Sequence, residues 1–168
     1  MSTSTRTGPI TQSLVRVGVT VSAALPDSWL GPLIAEVEAE ESIRHVPVVR
    51  EDDGVGICAG ASLMGARSVL LCQNAGLLLA TNALAGYGIH HQIPFVVIAA
   101  DRGAAGDNFY YQTYKHSVTH GVMSAVGLRV HRVQSPSDNE IFETAFDEAE
   151  MTQRPVVLLC TRRVLVGV

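Results

Sequence analysis

The stretch VVREDDGVGICAGASLMGARSVLLCQNAG, Val48 to Gly76, decides how this chain is read. An apolar run ends, a glycine-containing turn follows, small residues fill the next segment, and a second apolar run closes at Gln73. That order is strand, turn, helix, strand, the repeating unit of a parallel sheet. Gly54, Gly56 and Ala59 fall at the spacing of a degenerate G-x-G-x-x-A. Yet Glu51, Asp52 and Asp53 stand at the mouth of that turn, where they would repel a diphosphate held by helix N–H groups. The acid expected about 20 residues on to bind a ribose is replaced by Gln73 and Asn74. A nicotinamide or flavin dinucleotide is therefore not the expected ligand.

The same alternation continues in both directions. Ile10, Leu14, Val15 and Val17 suit a short helix, and VTVSAAL, Val19 to Leu25, reads as a buried strand stopped by Pro26. WLGPLIAEVEAEE places Leu30, Leu33, Ile34 and Val37 on one helical face and acids on the other. HVPVV, SVLLCQ, PFVVIAA, LRVHRV and PVVLLC read as strands. Helices are expected over 81–87, 117–126 and 135–151, the last opened by Ser137 and Glu140 as a capping box. About six short apolar strands alternating with helices predict a three-layer αβα domain with a mainly parallel sheet, a single unit over 1–168 with a flexible start at 1–9.

Composition narrows the functions open to such a domain. A net charge of −4 with few clustered basic residues argues against a nucleic-acid surface. Apolar residues make up 47% and charged ones only 17%, a balance that predicts apolar surface buried against another chain. Cys58, Cys72 and Cys160 are far apart, each in an apolar segment, which predicts free thiols in a reducing, cytoplasmic setting. The start MSTSTRTGPI lacks the apolar core of a secretory signal. Residues 68–100 carry no charge, but Gln73, Asn74, Asn82, His90, His91, Gln92 and Pro94 cut that run below the roughly 20 residues of a membrane span.

In an open parallel sheet, ligands meet the carboxyl ends of the strands. That rule selects the loops 26–28, 50–54, 73–76 and 101–116. Asp52 and Asp53 read most simply as helix-capping acids. Glu51 is expected at the strand end itself, pointing into the crevice, where a carboxyl in apolar surroundings can donate or share a proton.

VREDDGVGICAGASLMGARSVLLCQNAG, preceded by LPDSWLGPLI and followed by IPFVVIAADRG, resembles the pyrimidine-binding domain of thiamine diphosphate enzymes. Within that group the chain is most similar to the phosphonopyruvate and sulfopyruvate decarboxylases, in the latter case to the separate alpha subunit. The resemblance runs from about Leu25 to Arg162. It implies that Glu51 hydrogen-bonds N1′ of the cofactor aminopyrimidine, a shared proton that activates the thiazolium for attack on a 2-oxo acid. It also implies that Pro26, Asn74 and Gly76 lie close to the cofactor.

Enzymes of this kind hold the magnesium diphosphate through a G-D-G segment and a downstream Asn in a second domain. This chain has only GDN, Gly106 to Asn108, so no metal ligand is expected in it. The resemblance thus implies a beta subunit carrying the diphosphate and Mg2+ site, in an α2β2 or larger assembly. Asp27 and Ser28 match a loop near the substrate, and equally suit capping of the Trp29 segment. Arg102 suits either a substrate's acidic group or a structural ion pair. Gln112, His116 and His120 are candidates for the site mouth; the two histidines, four apart, lack a third zinc ligand. Two other readings stay open: a carboligase subunit of the acetolactate synthase type, and a non-catalytic α/β regulatory subunit.

Overall fold

The computed structural model describes residues 8–135 and 138–167. In chain order the elements are α1 (Pro9–Arg16), β1 (Val19–Ala24), α2 (Gly31–Ala39), β2 (Arg44–Pro47), α3 (Glu51–Leu63), β3 (Arg67–Gln73), α4 (Asn74–Leu79) and α5 (Thr81–Ala83), which continues as a π-helical stretch, Leu84–His90. There follow β4 (Val96–Ala100), a 3-10 turn (Tyr110–Gln112), α6 (Thr113–Ala125), β5 (Arg129–Val133), α7 (Ile141–Thr152), β6 (Val156–Cys160) and α8 (Arg162–Val166). The strands form one six-stranded sheet in the order β2-β1-β3-β4-β6-β5, and every neighbouring pair is parallel.

Central strands read as continuous apolar runs because both faces are covered. Side chains alternate between faces along a strand, and the two cores follow that alternation. Val69, Leu71, Val96, Ile98, Val156 and Leu158 pack under α1, α2 and α7. Leu70, Cys72, Val97, Ala99, Val157 and Leu159 pack under α3, α4 and α6 on the opposite face. The expected three layers are therefore present.

Gly54 explains part of the glycine spacing: a Cβ there would stand 2.6 Å from Cδ1 of Leu70, so the glycine lets α3 lie close on the sheet. Gly56 has open space around its α-carbon and serves no such contact. No helix among the described residues is long and apolar enough to cross a membrane.

Local differences from expectation concern ends and short helices. Pro9 already begins α1, and the N–H of Gly8 donates to Oε2 of Glu36 at 2.8 Å, so order reaches into the segment expected to be flexible. β2 stops at Pro47, α6 starts at Thr113, and α4 is a helix that the short run NAGLLL did not announce. Asp52 pairs with Arg50 at 3.0 Å, and no side chain caps α3. Ser137, half of the expected capping box, lies outside the described residues.

Candidate active site

The strand order reverses direction at β1: the chain steps outward to β2, then crosses back so that β3 lies on the other side of β1. A crevice opens at the carboxyl ends of two strands where such a reversal occurs. Register aligns Ala24 with Leu71 and Gln73 with Ala100, so the loops after β1, β3 and β4 emerge at one edge.

Glu51 reaches that edge by an indirect route. It is the first helical residue of α3, four residues beyond the end of β2, rather than the strand-end residue expected. Because α3 crosses over β1 and β3, its first turn is carried from the sheet's outer strand to the crevice. There Glu51 is only 5% exposed, and its carboxylate covers the α-carbon of Gly76 so closely that a side chain on Gly76 would overlap it. Its side chain makes no hydrogen bond or ion pair with a described residue. Beneath the crevice, burial, and then the Glu51 carboxylate, push the Cys72 thiol well up from its ordinary range.

Asn74, the first residue of α4, is fully buried. Its Nδ2 donates to the carbonyl of Arg102 at 2.8 Å, while its Oδ1 is left without a partner. Gln112 is likewise buried with an unpartnered Oε1. Gly103, at φ +88°, has no room for a side chain because the backbone of Gln112 and Thr113 lies against it, which fixes the start of α6 over the loop after β4. Unpaired buried acceptors are costly in a folded protein, and an ordered water or a ligand donor satisfies them.

Arg102 is the hub of the neighbouring loops. Its Nη1 donates to Oδ2 of Asp27 at 2.7 Å and to Oγ of Ser28 at 3.2 Å, and its Nε donates to Oδ2 of Asp107 at 2.8 Å. The guanidinium also lies 4.6 Å from the ring centre of Trp29 and 5.5 Å from that of Phe109. Burial pushes the Asp107 carboxyl up, but Arg102 and the N–H groups of Gly103 and Phe109 outweigh it and hold Asp107 below the ordinary carboxylate range. Asp27 thus binds twice, since its Oδ1 also accepts the N–H of Trp29 at 2.9 Å. Arg102 is committed to ion pairs inside the chain, and Pro26, which precedes Asp27 in sequence, is exposed.

His116 meets Asp101 through Nδ1 at 2.9 Å. The side chain of His120, one turn along α6, makes no hydrogen bond or ion pair with a described residue. No group of three or more His, Cys, Asp or Glu among the described residues is placed to hold a metal ion. Asp27, Ser28 and Arg102 therefore touch one another, Glu51 touches Gly76, and Asn74 reaches the backbone of Arg102. Sequence reasoning missed Asp101 and Asp107. Asp101 carried one usable signal: it is the first charged residue after a fully apolar strand, at the carboxyl edge.

A cleft of about 380 Å³ lies elsewhere, between Ser62, Arg67, His91, Pro94 and Gln153. These flank the amino ends of β3, β4 and β6, so this hollow has no share in the crevice where the polar groups gather.

No protein-family model matches the chain. It is 31% identical over 122 residues to the sulfopyruvate decarboxylase subunit alpha of Methanothermobacter thermautotrophicus, covering 72% of this chain and 73% of that one. It is 26% identical over 151 residues to the subunit of the same name from Methanococcus maripaludis, covering 88% and 89%. With the phosphonopyruvate decarboxylase of Streptomyces viridochromogenes it shares 37% identity over 94 residues, 56% of this chain but only 24% of that longer protein. On the extent of the match to the first of these, the chain belongs to the sulfopyruvate decarboxylase alpha-subunit family.

Proposed function

We propose that this chain supplies the pyrimidine half of a thiamine diphosphate-dependent site that decarboxylates a 2-oxo acid, and that it works with a beta subunit carrying the diphosphate and Mg2+ half. One observation carries the reading: Glu51 is a buried residue whose carboxylate has no hydrogen-bond or ion-pair partner among the described residues, set over a glycine that leaves room for nothing but that carboxylate. A carboxylate largely withdrawn from water is stabilised by a donor or a proton. A protonated or N–H-bearing edge of a flat heterocycle would satisfy it.

The residues present fit one end of the cofactor and not the other. Glu51 accepts or shares a proton at N1′ of the aminopyrimidine, and the unpartnered Oδ1 of Asn74 offers an acceptor for a cofactor or substrate donor. For the diphosphate the described residues offer no metal cluster, and the buried guanidinium of Arg102 is already paired with Asp27 and Asp107. Thiamine diphosphate, when bound, supplies the nucleophilic carbon and the electron sink on which a 2-oxo acid loses carbon dioxide. This chain orients the ring through Glu51, keeps water out through the surrounding burial, and sets the crevice walls through the loops tied by Arg102.

The alpha-subunit names of the relatives imply a second subunit. The apolar composition and exposed Leu63, Met64, Tyr110 and Tyr114 are consistent with burial against it in an α2β2 or larger assembly. Three buried free thiols suit a reducing, cytoplasmic setting. The test is reconstitution: the chain is mixed with a beta subunit, thiamine diphosphate and Mg2+, and sulfopyruvate and other 2-oxo acids are screened for carbon dioxide release. Release requiring all components supports the reading. Release by the chain alone, or product in which a second carbonyl compound has been joined, rejects it.

A further inference from the structure

The side chain of Asp101 is placed as though its only task were to hold a histidine. Its backbone is pinned at the edge of the sheet, the N–H donating to the carbonyl of Cys160 at 2.9 Å and its own carbonyl accepting from Ala104 at 3.2 Å. The side chain is only 2% exposed, and its sole partner among the described residues is Nδ1 of His116, 2.9 Å away. The histidine is held from the other side too, because α6 begins against Gly103 and packs along α4.

An ionised carboxylate only accepts hydrogen bonds, so the ring nitrogen facing it must carry the proton. A neutral imidazole has one N–H, and placing it on Nδ1 leaves a lone pair on Nε2. Nε2 makes no hydrogen bond with a described residue, and the side chain keeps 27% exposure. A base oriented by a buried acid, with its second nitrogen bare, is the arrangement that proton transfer requires. We infer that Asp101 is a positioning residue: it fixes the tautomer and direction of His116 so that Nε2 is presented as a proton acceptor at the strand ends. Its use in turnover rests on the thiamine reading above, while the tautomer itself does not.

The direct test is ring 15N NMR of His116 in the full chain at about pH 8.5, above the ordinary imidazole range. Wild type should show Nδ1 protonated and Nε2 bare, and Asp101→Ala should lose that preference. A bare Nδ1 in wild type, or the same tautomer in both proteins, overturns the inference. In the reconstituted complex, Asp101→Asn and His116→Gln should each lower kcat about tenfold or more with KM changed less than about twofold, and the double variant should be no worse than the poorer single one. Unchanged kcat in both variants also overturns it. Absence of any thiamine-dependent turnover in the wild-type complex would instead reject the function proposed above, and the NMR result would still decide the tautomer.

Discussion

The carboxylate of Glu51 rests on the bare α-carbon of Gly76, in contact that leaves no space for a methyl group. Gly76 is the third residue of α4 and is not among the positive-φ glycines, so no special backbone conformation calls for it. Its lack of a side chain serves Glu51 instead. Gly76→Ala should therefore displace the carboxylate and lower turnover on the order of a hundredfold, the cost of a misplaced group about an ångström out of position. Steady-state kinetics of the reconstituted complex checks this. In a Glu51→Gln background the same change should add little, and independent, multiplying losses would argue against the link.

Arg102 ties two segments to its own, one through Asp27 and the ring of Trp29, the other through Asp107 and the ring of Phe109. Both carboxylates are nearly buried, at 6% and 2% side-chain exposure, so removing the guanidinium leaves two uncompensated charges. Arg102→Ala should cost about 3–5 kcal/mol of stability, as expected for breaking a buried ion pair from one side. Arg102→Lys should recover only part, because one ammonium lacks the planar fork that reaches both acids. Denaturant unfolding of the chain measures it, and a loss below about 1 kcal/mol would mean these contacts are solvated, as at an exposed surface.

Acid should undo the same network with a defined sign. The Asp107 carboxyl is held below the ordinary value of 3.8, so its contribution is present above that value and is lost as pH falls through the lower, folded-state one. The melting-temperature gap between wild type and Asp107→Asn should be widest near neutrality and shrink below about pH 4. A gap constant down to pH 3 would show that the carboxylate's charge is not what Asp107 contributes.

These particulars show which parts of the molecule the sequence discloses. β4 and β6 were legible because a strand buried on both faces must be apolar throughout, and Val96–Ala100 and Val156–Cys160 are. The small residues after Gly54 announced a helix lying close on the sheet. α4 was hidden because NAGLLL is as short and apolar as a strand. Glu51 was legible as a buried acid, but not as a residue of α3 delivered across β1, because its position depends on a crossover that local pattern does not encode. Arg102 with Asp107, and His116 with Asp101, were unreadable for a related reason. Which charges face each other depends on how the loop over 101–112 closes, and the turn at Gly103 against Gln112 decides that.

The proposed chemistry turns on a proton shared with Glu51. Glu51→Gln keeps the size and shape of the side chain, and so the fit against Gly76, while removing the group that ionises. In the complex reconstituted with beta subunit, thiamine diphosphate and Mg2+, it should lower kcat by about a hundredfold or more, within the range for a lost acid–base group, while the cofactor dissociation constant changes by less than about tenfold. Turnover equal to wild type with cofactor bound would contradict the account.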